Sequence, residues 1–238
     1  KSQLGLQQGL LGDIGGSDVS ATADGTNTLT FCTNQGDYNV AIGSYALDAT
    51  TSGHSNTAIG YFAGSGINTG YRNITIGLVA GSDLTDGYDN IAIGAYALDA
   101  ATDGQNQNIA IGTYALSAET SGADGNVAIG YQALKVQNTN SSNNVAVGYQ
   151  AALNLNGGTD SVYLGYLAGG LGAITGDYNV AIGKDAALNA TGMATSVFVG
   201  ADAGGTGIIA GASNTVMGYG AGYKLTSASG NVIIGAAA

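Results

Sequence analysis

The feature that most constrains this 238-residue chain is a short motif that returns every 17 or 18 residues. The motif is Asn-Val-Ala-Ile-Gly-x-x-Ala, as at residues 126–133 and 179–186. Its glycines are Gly43, Gly60, Gly77, Gly94, Gly112, Gly130, Gly148, Gly165, Gly183, Gly200, Gly218 and Gly235. A fixed period of this length is the sequence signature of a repeat architecture. We therefore predict one repeat domain over residues 39–238, preceded by an N-terminal cap or assembly segment over residues 1–38.

The composition of the motif predicts a strand rather than a helix. A large aliphatic residue precedes each glycine, Val, Ile or Thr stands two positions earlier, and the residue between them is usually Ala. β-branched residues favour strands, the glycine favours a bend, and the polar residues before each motif favour a turn. Such units stack about 4.8 Å apart. The prediction is an all-β fold, a parallel β-solenoid of about twelve coils of 17–18 residues, each with a second short extended arm.

Each column of the repeat predicts a structural role. The aliphatic column predicts a continuous apolar row on a short buried strand, and the Asn column predicts a hydrogen-bonded ladder. The Ala three residues past each glycine marks a close approach, either inside a flat roll or against a second chain. Two representative copies supply the residues Asn39, Ile42, Gly43, Ala46, Asn126, Ile129, Gly130 and Ala133.

Charge and composition exclude several classes of function. The net charge is −11 with five basic residues, too few to form a nucleic-acid-binding surface. No apolar stretch is long enough to insert into a membrane. Cys32 is the one cysteine and His54 the one histidine, so neither a disulfide nor a catalytic set with histidine can be assembled. We expect no enzyme activity, no cofactor and no metal site.

The motif resembles the head repeats of trimeric autotransporter adhesins and similar repeats of phage tail-fibre proteins. The likeness covers residues 39–238. It implies coils of two strands, and three parallel chains that associate into a β-roll trimer and bind host surfaces. A second resemblance, of residues 42–47 (Ile-Gly-Ser-Tyr-Ala-Leu) to the hexapeptide repeat of β-helical acyltransferases, covers one side of each coil.

Two sets of side chains are candidates for binding. Tyrosines that directly follow the motif glycine could form a glycan-contact row or a packed structural row, and they are Tyr61, Tyr131, Tyr149, Tyr166 and Tyr219. Aspartates in the turns before the strands favour turn chemistry over calcium binding, and they are Asp37, Asp86, Asp89, Asp103, Asp124, Asp160 and Asp177.

These observations predict a structural and adhesive segment of an extracellular fibre, on a cell or virion surface. The expected partners are copies of the same chain, as a homotrimer or filament, and a host-surface glycan or protein. The alternative is a pilus-like subunit that polymerises end to end through residues 1–38 and the C-terminal coil, which carries no capping sequence after Ala238. A hexapeptide-type acyltransferase is the third candidate.

Overall fold

The computed structural model describes residues 22–24, 38–100, 104–119, 123–137, 141–205, 207 and 209–238, and within them it has strands and no helix. Twelve three-residue strands coincide with the motif copies. In chain order the strands are β1 (Thr22–Asp24), β2 (Val40–Ile42), β3 (Thr57–Ile59), β4 (Ile74–Ile76), β5 (Ile91–Ile93), β6 (Ile109–Ile111), β7 (Ala118–Glu119), β8 (Val127–Ile129), β9 (Val136–Gln137), β10 (Val145–Val147), β11 (Asn154–Leu155), β12 (Val162–Leu164), β13 (Val180–Ile182), β14 (Val197–Val199), β15 (Thr215–Met217) and β16 (Val232–Ile234).

One long parallel sheet carries the repeat. Its order is β1-β2-β3-β4-β5-β6-β8-β10-β12-β13-β14-β15-β16, and equivalent motif residues pair, as Ala41 does with Ala58. Each motif strand is therefore one turn of the chain away from the next, which confirms the predicted parallel β-solenoid. Strand β1 pairs with β2 and extends the sheet into the segment 1–38, whose other residues except Tyr38 lie outside the described part.

Among the described residues, the second extended arm forms in fewer coils than the sequence predicts. Strands β7, β9 and β11 make a small parallel sheet, and the bridge between Leu155 and Ile174 extends it by one coil. After the motif glycine the chain makes a tight turn, in which the Ala46 N–H donates to the Gly43 carbonyl over 3.2 Å. Tyr45 and Leu47 have φ of 62° and 51° in that turn, so side-chain-bearing residues adopt the left-handed backbone that glycine usually supplies.

The sequence prediction was wrong about which face of the strand is buried. The middle alanine of the motif, such as Ala41, has no exposed surface, whereas Ile42 on the neighbouring strand position is 40% exposed. The aliphatic column is continuous, but it lies on the outer surface. Alternation with period two separates the two faces without saying which one points inward. The interior is narrow and accepts the small residue. Ala46 and Ala133 are fully buried as well. Of the two places predicted for their column, the interior of the roll is therefore the one observed, and not a contact with a second chain.

The interior volume is shared between positions of the same coil. One large buried side chain fills most coils, either a leucine four residues past the motif glycine, such as Leu47, or a residue later in the coil, such as Ile67. Where the middle strand residue is itself large, glycine replaces that leucine. A Cβ on Gly169 would lie 2.5 Å from the Tyr163 ring, and one on Gly204 would lie 2.9 Å from the Phe198 ring. Dense packing thus requires a small residue at the leucine position wherever the middle strand residue is large.

Candidate functional site

The Asn column forms a buried hydrogen-bonded ladder through the solenoid. The Asn56 N–H donates to Asn39 Oδ1 over 2.8 Å, and the Asn73 N–H donates to Asn56 Oδ1 over 2.9 Å. Each side-chain amide also donates to a turn carbonyl, as Asn56 Nδ2 does to Gly70 O over 2.8 Å. The side chain therefore satisfies one backbone donor and one backbone acceptor that would otherwise be buried without partners.

Serine replaces Asn in two coils without leaving these groups unpaired. Ser161 Oγ accepts the Asn179 N–H over 2.9 Å, which keeps the acceptor role. The turn carbonyl of Gly176 is then served by Asn179, whose Nδ2 donates to it over 2.7 Å and to Met193 O over 3.0 Å. The Asn in the coil after a Ser thus donates both of its amide protons to turn carbonyls. One of these is the carbonyl that an Asn at the Ser position would have bonded.

The outer face of the twelve motif strands is an uncharged aliphatic surface. The first and third residues of every motif strand point outward, and they are Val, Ile, Leu, Met or Thr throughout. Ile42, Ile59, Ile182 and Met217 are between 36% and 40% exposed. Two parallel rows of apolar side chains therefore run along the rod, on the side away from its own core.

The predicted tyrosine row lies at the surface, and part of it is stacked. Tyr131 and Tyr149 have ring centroids 5.3 Å apart, and Tyr149 and Tyr166 have centroids 5.1 Å apart with planes 8° from parallel. These rings turn their faces to one another and their edges to solvent. Tyr61 instead makes edge contacts with its aromatic neighbours, and Tyr219 is strongly exposed. Glycan contact by this row stays a prediction.

A second aromatic column was missed in the sequence. His54 stacks on Tyr71 with centroids 5.1 Å apart, and Tyr71 stacks on Tyr88 at the same distance. Arg72 lies over the Tyr71 ring at 4.7 Å and pairs with Asp89. The signal was available, because all three rings stand six residues before a motif glycine. His54 is exposed and acts there as a stacking group.

The turn aspartates hydrogen-bond to the backbone of neighbouring coils. Asp86, Asp124 and Asp177 each accept a backbone N–H from the adjacent coil over 2.8 Å. These bonds join neighbouring coils, and they differ from the local bonds to its own turn backbone for which Asp favours turns. No group of three His, Cys, Asp or Glu side chains that could hold a metal ion occurs in the part of the chain that the structure describes, and Asp37 and Asp103 lie outside it.

Asp99 is the described carboxyl with the most perturbed titration. Burial raises the pKa of Asp99 to about 6, and the nearby negative charge of Asp83 acts in the same direction. Burial also raises the pKa of Asp48, which stands at the same repeat position five residues past its motif glycine, and the pKa of Asp83. These buried carboxyls bear on how stability depends on pH.

Comparison with known proteins adds no relative. Protein-family models, curated proteins and solved structures give no match to this chain. No helix among the described residues is long and apolar enough to cross a membrane. The parallel sheet, the period of the coils and the buried Asn ladder define the class: the chain is a β-solenoid repeat protein.

Proposed function

We propose that the chain is a structural segment of an extracellular fibre, and that it works by packing side by side with copies of itself. The observation that carries the proposal is the aliphatic outer face of the long sheet. In a rod that stays monomeric, two continuous rows of exposed Val and Ile would remain in contact with water, which is unfavourable. The largest contiguous apolar patch of a soluble protein is often functional.

The size of the face supports a stable contact. Eleven intervals of about 4.8 Å give a length of about 53 Å, and three strand residues give a width of about 10 Å. The strip is therefore on the order of 500 Å² in projection, at the upper end of the apolar patches that monomers usually carry. Side chains and flanking residues bring the contact towards the area of about 800 Å² per partner that specific interfaces bury.

The charge distribution supports a partner of the same kind. Neither outward column of the twelve motif strands contains a charged residue, although β1 places Asp24 in register with Ile42 and the chain carries a net charge of −11. Two copies can therefore bring these faces together without placing like charges opposite each other. A parallel homotrimer is the assembly we propose, in keeping with the resemblance of the motif to adhesin head repeats.

The proposal that the fibre is adhesive rests on the resemblance to adhesin head repeats and on the exposed tyrosines. Because the stacked rings of Tyr131, Tyr149 and Tyr166 share their faces, they offer sugars mainly ring edges and hydroxyl groups. Tyr219 is 66% exposed and has no ring contact among the described residues, so its face is open. We expect Tyr219→Ala to weaken binding on a glycan array. Binding that survives this change together with Tyr149→Ala would contradict a glycan-contact row.

Light scattering with matched variants tests the proposed self-association. The first variant combines Ile59→Glu and Ile182→Glu, which place charges on the outer face. The control combines Thr85→Glu and Thr175→Glu, which add the same charge at exposed turn positions off that face. We expect wild type and control to have the mass of three chains. The face variant should have the mass of one chain and should still unfold cooperatively, at a midpoint that does not depend on protein concentration because it no longer associates.

Two results would contradict the proposal. A wild-type mass of one chain at every concentration would show that the face stays open to solvent. Open-ended polymers of wild type that the face variant also forms would favour the end-to-end filament instead.

A further inference from the structure

Stacked tyrosines link consecutive coils over much of the solenoid. Apart from the row of Tyr131, Tyr149 and Tyr166, the pairs Tyr71–Tyr88 and Tyr96–Tyr114 have centroids 5.1 Å apart and planes within 6° of parallel. Each pair joins residues 17 or 18 positions apart, because one ring lies directly above the other in the next coil. The hydrogen bonds of the parallel sheet hold these phenol rings in register.

The three-membered row is the most accessible of these stacks. Tyr131, Tyr149 and Tyr166 are 41%, 43% and 47% exposed, whereas the rings of the other two stacks are only partly exposed. Their outer edges carry the hydroxyl groups and the carbons next to them. Small side-chain rotations, without separation of the coils, bring these carbons of neighbouring rings together.

Nearby cations distinguish the stacks further. The guanidinium of Arg72 lies 4.7 Å from the centroid of the Tyr71 ring, and the Lys135 ammonium lies 5.4 Å from that of Tyr114. A cation over a ring is held by the electron density of that ring, so it opposes removal of an electron. No cation lies over the three rings of the exposed row among the described residues, although Lys184 occupies the next position of their column and its ammonium interacts electrostatically with Tyr166.

We propose that Tyr131, Tyr149 and Tyr166 form a site of oxidative dityrosine cross-linking between consecutive coils. The co-reactants are a haem peroxidase and hydrogen peroxide. Each of two phenols loses one electron to the oxidised haem and one proton to solvent. The two radicals form a carbon–carbon bond next to the hydroxyl groups, and the ring hydrogens shift to restore both phenols. Two tyrosines and one peroxide thus give one dityrosine and two waters.

The cross-link would stabilise the solenoid by joining consecutive coils covalently. A bond from Tyr131 to Tyr149, or from Tyr149 to Tyr166, closes a loop of 17–18 residues in the unfolded chain. Closing a loop of this length restricts the unfolded state, as a disulfide does. The chain has one cysteine, so a dityrosine would supply the covalent cross-link within the chain that a disulfide cannot form.

The test treats the full chain with peroxidase and hydrogen peroxide and follows dityrosine fluorescence and cross-linked peptides. We expect peptides that join Tyr149 to Tyr131 or Tyr166 within one chain, which a mixture of isotopically light and heavy protein establishes. Tyr149→Phe keeps the stack but removes the central phenol, and it should abolish these peptides. Tyr178→Phe and Tyr219→Phe remove exposed tyrosines without stacking partners among the described residues, and they should leave the peptides unchanged.

Three outcomes would overturn the proposal. The first is the same dityrosine yield in Tyr149→Phe as in wild type. The second is cross-linked peptides that join light to heavy chains only, because they would arise from contacts between molecules. The third is a yield that falls with Tyr178→Phe or Tyr219→Phe as strongly as with Tyr149→Phe, since exposure alone would then decide the reaction.

Discussion

Replacing one ladder asparagine by alanine or by serine separates the two roles of its side chain. Asn73 lies in the middle of the described ladder, where Nδ2 donates to Gly87 O over 2.7 Å and Oδ1 accepts the Asn90 N–H over 3.0 Å. Asn73→Ala leaves that N–H buried without its partner, while the Asn90 amide proton that bonds Asn73 Oδ1 over 3.0 Å becomes free to turn to the Gly87 carbonyl. One buried group without a partner costs about 1–3 kcal/mol, so the free energy of unfolding should fall by about that amount.

Asn73→Ser should cost much less, because the chain already uses this exchange. A serine hydroxyl can accept the Asn90 N–H, as Ser161 accepts the Asn179 N–H. Asn90 Nδ2 already donates to Gln105 O over 2.8 Å, and its second proton can turn to the Gly87 carbonyl. We expect a loss of no more than about 1 kcal/mol, the net value of one typical hydrogen bond.

The double variant Asn73→Ser with Asn90→Ser gives the sharpest result. Without the amide of Asn90, no side chain covers the Gly87 carbonyl, so the double change should cost about 1–3 kcal/mol more than the sum of the single ones. Urea unfolding followed by circular dichroism measures the energies, and hydrogen exchange at the Asn90 amide reports the local effect. Equal losses for Asn73→Ala and Asn73→Ser, or strictly additive serine changes, would refute this reasoning.

Three further changes probe the interior, the bend and the titration of one carboxyl. Phe198 is fully buried, so Phe198→Ala should lower the free energy of unfolding by about 3–5 kcal/mol in urea titrations. A Cβ on Gly148 would lie 2.3 Å from a carbonyl oxygen of the next coil, whereas one on Gly104 meets no atom within 4 Å. Gly148→Ala should therefore cost about 1–3 kcal/mol more than Gly104→Ala, which shares only the positive φ; equal thermal midpoints would contradict this. Because burial raises the pKa of Asp99 from 3.8 to about 6, the folded chain binds more protons between these values than the unfolded chain, and stability should fall as pH rises through that range. Asp99→Asn should flatten this part of a stability–pH curve and raise stability at neutral pH, and an unchanged slope would count against it.

The sequence predicted the architecture well because one periodic signal determines it. The spacing of glycines such as Gly130 and Gly148 fixes the coil length, and the motif repeats the same strand in register. The Asn ladder was predicted for the same reason, since a polar residue at one position of every coil must meet its own copies. Periodicity alone was enough for these features.

The orientation of the strand could not be read from hydrophobicity. Ile42 is more apolar than Ala41, yet Ala41 is the residue inside, because the width of the roll decides which side chain fits. The left-handed conformation of Leu47 was also hidden, since such backbone usually indicates glycine. Both features depend on how the different sides of one coil pack against each other. A single position of the repeat, compared from coil to coil, does not predict that packing.

The stacking of the tyrosines was only partly predictable. The column of Tyr131, Tyr149 and Tyr166 was visible as a row, but its ring orientation follows from side-chain packing between coils. The column of His54, Tyr71 and Tyr88 escaped notice because it lies in the polar turn, where residue types vary most. Its spacing of 17 residues was nevertheless present in the sequence.

Electron cryo-microscopy of the assembled full chain is the most direct test of side-by-side packing. We expect parallel rods whose outer sheet faces meet, with Ile59 and Ile182 of each copy buried against another copy. Rods whose aliphatic columns face solvent, or copies joined only at their ends, would contradict the proposed fibre segment.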